Sequence, residues 1–380
     1  MAETTVAAPR AQTRIDLDQR PILVFWESTK ACLLACRHCR AEAQPTPVPG
    51  ELTHAEAIGF VDSLADFGSP APILVITGGD ALMREDLAAL VTGARGVGVP
   101  VALAPSVTPL LTDERLAELR ELGVKAASIS LDGACAATHE GIRGVDGHFA
   151  ATLEALARMR HHGFVAQVNT VVMEENVEEL PAIARIVRDS GASIWEVFFL
   201  VRVGRGAGMT ELAPAEVEDV CQFLYDASRH GFIVRTVEGP MFRRVVRWRT
   251  EGRSCAAGPL YERLAAALAH EIGPPTGPSK AQTKGTRDGR GIVFVSATGD
   301  VTPAGFLPVV LGNVKETGIA EVYRDHPLLR DIRAARFGGR CGLCEYRDLC
   351  GGSRARAFAA TGDPLGEDPA CAYVPARRRR

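Results

Sequence analysis

Between residues 21 and about 230, short apolar runs alternate with longer amphipathic stretches. The runs at 22–27 (ILVFWE), 73–76 (ILVI), 99–104, 126–131 (AASISL), 165–172 (VAQVNTVV) and 194–201 (IWEVFFLV) are short, β-branched and almost wholly apolar. That is the pattern of strands buried on both faces. Helices are predicted between them at 53–67, 84–95, 112–122, 148–162, 177–190 and 214–229. Leu153, Leu156 and Met159 repeat at helical spacing, as do Leu180, Ile183 and Val187. Thr53 followed by Glu56 has the spacing of a capping box. Six strand–helix repeats predict an α/β fold with a parallel sheet, either doubly wound or a partial barrel.

Beyond 235 the pattern changes. A basic stretch carrying Arg243, Arg244, Arg247 and Arg249 leads to Cys255, and 271–291 is rich in Gly, Pro, Lys and Thr, as a mobile loop would be. Residues 292–301 (IVFVSATGDV) read as a hairpin turning at Thr298–Gly299–Asp300. Residues 1–20 lack apolar periodicity and read as disordered. The expected organisation is thus a disordered 1–20, a barrel over 21–235, a connector over 236–291 and a small cysteine-rich domain over 292–380.

Composition narrows the function. The net charge of −3 gives no field suited to nucleic acid, and the terminal run Arg377 to Arg380 reads as a solvated tail. No apolar stretch reaches membrane-spanning length and no signal sequence opens the chain, so a cytoplasmic protein is expected. There its ten cysteines would stay reduced. Three cluster at 32–39 and three at 341–350 with Cys371 behind them, whereas Cys135, Cys221 and Cys255 are scattered. Tight clusters in a reducing compartment point to metal; Cys135 and Cys221 are expected to pack.

Cys32-x3-Cys36-x2-Cys39 follows the first predicted strand directly. In strand–helix repeats the loop after a strand carries function. Three thiolates within eight residues can wrap three irons of a cube, and no fourth cysteine is near, so one iron could stay open. Zinc prefers four ligands in paired units, and His38, adjacent to Cys39, would be strained as the fourth.

With that motif in that place, the chain resembles the radical S-adenosylmethionine (SAM) superfamily. The resemblance implies a partial (β/α)6 TIM-like barrel, a 4Fe–4S cluster on Cys32, Cys36 and Cys39, and SAM chelated at the open iron. One electron, from a flavodoxin- or ferredoxin-type donor, would then release a 5′-deoxyadenosyl radical. His38 would lie against the adenine. Thr77–Gly78–Gly79–Asp80 resembles the superfamily's GGE motif: Gly78 and Gly79 would let the backbone approach the methionine amino group, and Asp80 would accept from it. Ser130 and Arg143 would contact the ribose and the methionine carboxylate, with Asn169 and Leu200 completing the adenosine pocket.

Cys341-x2-Cys344-x5-Cys350, with Cys371 twenty-one positions later, closes one four-thiolate site, and spacing alone leaves zinc and iron–sulfur open. This run resembles the SPASM/twitch extension, together with Gly312–Asn313–Val314 and Cys350–Gly351–Gly352. It implies an auxiliary 4Fe–4S cluster on Cys341, Cys344, Cys350 and Cys371. Full SPASM domains carry a larger cysteine set and two auxiliary clusters; here Ala304 and the pair Ser353–Arg354 stand where further cysteines would be. Cys255 is then an orphan, and the vacated site is expected to leave space beside the barrel mouth. Residues 292–375 most resemble the radical SAM proteins of alternative haem and d-type haem synthesis, which remove or oxidise tetrapyrrole propionates. The basic segment from Arg243 to Arg253 would suit a polycarboxylate substrate, or be a solvated helix face. The alternatives are a maturase of ribosomally made peptides and a non-catalytic iron–sulfur or zinc module.

Overall fold

Seven strands run parallel and in chain order across one sheet: β1 (Leu23–Glu27), β2 (Ile73–Thr77), β3 (Val101–Leu103), β4 (Ala126–Ser130), β5 (Val165–Val172), β6 (Ile194–Phe199) and β7 (Ile233–Val237). The computed structural model describes residues 15–253, 257–283 and 285–376. All six predicted strands are present. The seventh escaped the reading because Arg235 and Thr236 interrupt its apolar run.

The C-terminal region enters the same sheet. β8 (Arg287–Asp288) pairs with β9 (Gly291–Val295), and β9 lies parallel to β1 with Ile292 opposite Leu23. β10 (Asp300–Thr302) returns antiparallel, as the hairpin reading required, and β11 (Gly312–Asn313) completes the edge.

Helices His54–Ser63, Leu87–Gly96, Asp113–Glu121, His148–His161, Leu180–Asp189 and Pro214–Ala227 occupy the predicted intervals. Thr53 and Glu56 close the expected capping box. One face of the sheet (Val24, Trp26, Leu74, Ile76, Ile129, Val168, Trp195 and Val197) packs with helical Phe60, Val61, Leu90, Leu156, Met159 and Ile183 in one continuous core. Each such side chain contributes about 1.5–3 kcal/mol by leaving water. Pairing register puts Ser130, Asn169, Glu196 and Arg235 side by side on the opposite, half-buried face. A polar row on a sheet otherwise built for burial is a surface kept for binding.

Several expectations change. Residues 15–20 are packed down, with Tyr323 Oη donating to Leu17 O at 2.7 Å and Arg324 Nε to Gln19 O at 3.0 Å. The connector contains helices Phe242–Thr250 and Pro259–Ile272. The loop that follows is pinned along β7: Gln282 N donates to Val234 O at 2.9 Å and Lys280 N to Ser228 O at 2.9 Å. The basic stretch divides: Arg244 grips Glu218 with both Nη atoms and Arg249 pairs with Asp226, whereas Arg247, paired with Glu251, lies on the solvated face. Cys221 is fully buried as expected, whereas Cys135 is exposed before helix Ala136–Arg143. Cys255 and the arginines 377–380 lie outside the described residues. Among those described, no helix is long and apolar enough to cross a membrane.

Candidate active site

Cys32, Cys36 and Cys39 gather in one small cluster with Leu34 and Ala43, at the carboxyl end of β1. The loop holding them is fixed from several sides. Cys32 N donates to Gln44 O at 2.7 Å, and Arg37 N to Ile142 O at 2.9 Å. Leu34 N points at Cys32 Sγ at 3.3 Å. From the segment after β6, Arg205 donates to Cys36 O and Ala43 O, each at 2.9 Å, and a Cβ on Gly204 would stand 2.4 Å from Arg40 O. Nothing in the sequence announced Arg205. Its neighbours Gly204 and Gly206 were the available signal, since glycines mark close backbone approach.

Gly78 and Gly79 serve that same purpose, but toward the protein. A Cβ on Gly79 would fall 2.3 Å from Ala31 O, and one on Gly78 2.4 Å from Thr29 O. Gly79 N and Asp80 N donate to Thr29 O and Ala31 O, both at 2.7 Å, so the glycine loop is zipped onto the start of the cysteine loop. Asp80 departs from expectation. Its carboxylate is fully buried and already accepts from Leu82 N (3.1 Å), Ser106 N (3.3 Å) and Thr108 Oγ1 (2.9 Å), which braces the β2 loop against the β3 loop instead of offering an acceptor to a ligand. Ser106, unremarked in the sequence, also donates to Gly79 O at 3.1 Å and lies 3.6 Å from Cys32 Sγ.

Asp132 is the residue the sequence reading missed. Fully buried just after β4, its Oδ2 accepts from His38 Nε2 at 2.9 Å and, in a close contact, from Arg143 Nη2, while Oδ1 accepts from Val171 N at 2.8 Å. Burial works against its charge, but Arg143 and then His38 outweigh that and hold the carboxyl far below the usual range. Helix Ala136–Arg143, too short and polar to be read in advance, places His139 and Arg143 on one face. Asp132 N donates to His139 Nδ1 at 3.1 Å, so His139 carries its proton on Nε2 and gives it to His148 Nδ1 at 2.8 Å; His148 Nε2 then donates to Val107 O at 3.1 Å. Both rings must be neutral in this chain, and burial, the largest influence, drives His139 down to about 3.

Arg143 also points Nη1 at Cys36 Sγ, at 3.6 Å, yet its buried Nε has no partner. A buried guanidinium nitrogen without an acceptor fits a carboxylate that arrives from outside the protein. His38 is buried against Asp132 at the end of the cysteine loop; Leu200 lies in an apolar patch with Ile142, Met173 and Met209 beside it, and a Cβ on Gly206 would touch both the His38 backbone and Leu200. Ser130 and Asn169 are register partners on the polar face, with Gln167 Nε2 bonded to Asn169 Oδ1 at 2.8 Å. Apart from Asp80, the residues singled out for SAM therefore converge on one end of the sheet.

The second cysteine group, Cys341, Cys344, Cys350 and Cys371, lines one small pocket. Burial pushes Cys350 up to about 11 and Cys371 up to about 12, so loading any metal there must release protons. Donors already face the sulfurs: Tyr346 N lies 3.4 Å from Cys344 Sγ, and Asp368 N 3.4 Å from Cys341 Sγ. Gly351 and Gly352 are both left-handed, and a Cβ on Gly352 would come within 2.9 Å of Cys341 Sγ. Four thiols around one pocket are a donor set that fits a four-iron cluster, and four thiolates can equally hold zinc. Where further cysteines would stand, Ser353 and Ala304 are buried, and the Ser353 hydroxyl both donates to Glu238 and caps helix Arg354–Thr361 through Arg356 N at 2.9 Å.

The sequence profile of the Radical SAM superfamily matches residues 26–187, the stretch from β1 through helix Leu180–Asp189. The chain is 36% identical over 366 residues to a protein of Methanosarcina barkeri named AdoMet-dependent heme synthase, covering 96% of this chain and 100% of that one. A protein of the same name from Oleidesulfovibrio alaskensis is 36% identical over 363 residues, covering 94% of this chain and 88% of that one. Among solved structures, Streptococcus suis SuiB bound to precursor peptide SuiA has a TM-score of 0.67 at 14% identity, covering 93% of this chain and 76% of that one. This last is a likeness of fold.

Proposed function

Since the chain belongs to the radical SAM superfamily, we propose that it is the enzyme that oxidises or removes propionate side chains of a tetrapyrrole, with a flavodoxin- or ferredoxin-type electron donor and in the cytoplasm. In this reading Cys32, Cys36 and Cys39 hold the 4Fe–4S cluster whose open iron takes SAM, and Cys341, Cys344, Cys350 and Cys371 hold an auxiliary 4Fe–4S cluster. With SAM and one electron from the donor, the first of these groups would supply the radical chemistry that removes a hydrogen atom from the substrate.

The chain's own residues bind and orient. Arg143, locked by Asp132, offers its free Nε to the methionine carboxylate. Ser130 and Asn169 present hydrogen-bonding groups on the concave row, while His38 and Leu200 bound the adenine side. Asp80 acts through the glycine loop as a brace. Beyond the cysteine loop, Arg40 lies 4.7 Å over Phe294 and 6.0 Å from Phe306, paired with Glu27 at 2.7 Å. A cation on an aromatic floor suits a flat macrocycle bearing carboxylates.

The observation that carries the substrate reading is the near full-length identity to two proteins named AdoMet-dependent heme synthase. The test is anaerobic incubation of the reconstituted protein with SAM, a reductant and porphyrins that carry propionates. Expected are 5′-deoxyadenosine and a product lighter by carbon dioxide and two hydrogens for each propionate converted. Deoxyadenosine formed only with precursor peptides would replace this substrate by a peptide.

A further inference from the structure

Arginines surround the four-cysteine group, and three of them, two buried and one half-buried, form no ion pair with a carboxylate among the described residues. Arg354 is 0% exposed. Its Nε and Nη1 are spent on the carbonyls of Gly352 (3.2 Å), Pro364 (3.2 Å) and Gly366 (2.6 Å), and its plane lies 4.4 Å over Phe337. The remaining nitrogen, Nη2, is 3.6 Å from Cys341 Sγ. Arg287 lies against the other side of the same ring, 5.4 Å from its centre; it donates to Arg347 O at 3.1 Å, and its buried Nε has no partner. Arg243 ends on the carbonyls of Leu349 and Thr286. Among the described residues none of the three is ion-paired. Asp288, half-buried, accepts from Ala355 N at 3.3 Å and feels the charges of Arg354 and Arg243 without an ion pair to either.

Carbonyl oxygens satisfy a guanidinium's hydrogens but not its charge, and buried charges ordinarily find a counter-charge. Besides Asp288, the anion-forming group that Arg354 approaches is the Cys341 sulfur. A further feature shows that the proximity is built in. Gly351 and Gly352 leave no room for a side chain: a Cβ would meet Arg287 Nη1 at 2.6 Å in the first and Arg354 Nη2 at 2.6 Å in the second.

We infer that Arg354, with Arg287 behind it, is the counter-charge of the auxiliary cluster and raises its reduction potential. The inference rests on the proposed reading that the cavity holds a 4Fe–4S cluster. Four thiolates make that assembly anionic, and reduction adds a further negative charge. A guanidinium at hydrogen-bond range stabilises the more negative state most, and hydrogen bonds to the sulfurs act in the same direction.

The experiment uses the full chain with Cys32, Cys36 and Cys39 replaced by Ala, so that only the second site is loaded. It is reconstituted anaerobically and titrated redox-wise with electron paramagnetic resonance detection. Arg354→Gln should keep about four irons and lower the reduced-to-oxidised ratio at fixed potential about tenfold, which is ~59 mV for one electron. Arg354→Lys should lose less, because it keeps the charge and gives up the fork. Arg287→Gln should shift the same way and decides the matter if Arg354→Gln sheds its iron. Iron retained with an unmoved midpoint in the glutamine variants overturns the inference and leaves the cluster standing. Zinc, or no iron, in the parent with both arginines intact removes the cluster reading, and the inference with it.

Discussion

His38 Nε2 lies 2.9 Å from Asp132 Oδ2, which ties the cysteine loop after β1 to the loop after β4 through one carboxylate. Arg143 uses the same oxygen. The position of the group proposed to receive SAM's carboxylate is thus set by the residue beside Cys39. Asp132→Asn should keep the iron of the first site and weaken SAM binding at least tenfold, about 1.4 kcal/mol. Equilibrium dialysis checks it, and unchanged affinity would show that Asp132 positions nothing. Stability should fall by about 3–5 kcal/mol in urea, because a buried guanidinium loses its partner.

Arg143→Lys isolates the fork. An ammonium cannot meet Asp132 and Cys36 together while presenting a further donor. SAM affinity should drop about tenfold or more, with the protein still folded by circular dichroism. Retained affinity would place the carboxylate elsewhere.

The pH response follows from His139. Its pKa is about 3 in the folded chain, against roughly 6.5 unfolded. Below 6.5 the unfolded state binds the extra proton, so the stability due to the neutral ring is complete above 6.5 and drains away as pH falls toward 3. Between pH 6.5 and 5 the loss should be about 2 kcal/mol. His148, also lowered by burial, adds in the same direction. In His139→Asn, whose Oδ1 can still accept from Asp132 N, urea midpoints should fall less over this range. A parallel fall in both proteins would refute the assignment.

Metal content separates the two cysteine groups. Wild-type protein should reconstitute to about eight irons, four per cube. Cys32, Cys36 and Cys39 replaced together by Ala should leave about four and abolish 5′-deoxyadenosine formation. Replacing Cys341 and Cys344 should remove the other four. A wild-type count near four would contradict the two-cluster reading.

The sequence made the periodic parts legible. β1 to β6 and their helices are apolar at fixed spacing, and the thiol clusters are local strings of one residue type. Contacts between distant loops were not legible. Asp132 gains its meaning from His38, 94 positions away, and Arg205 from Cys36, 169 away. β7 was hidden by Arg235, a polar residue because it faces the concave side. At Gly78 and Gly79 the close approach in this structure is to the chain's own backbone at 29–31. The motif shows that a carboxylate is wanted at Asp80, and only the fold shows which of the chain's donors reach it.

The parallel pairing of β9 with β1 has a consequence for synthesis. Leu23 finds its partner Ile292 at the far end of the chain, so one edge of the cysteine-bearing strand stays unsealed until that segment has left the ribosome. At 5–20 residues per second this leaves about 15–50 s in which thiols and strand edge are open to oxidants and to neighbouring chains. Such remote closure also slows folding, since the ends must meet before their contacts reward the lost chain entropy.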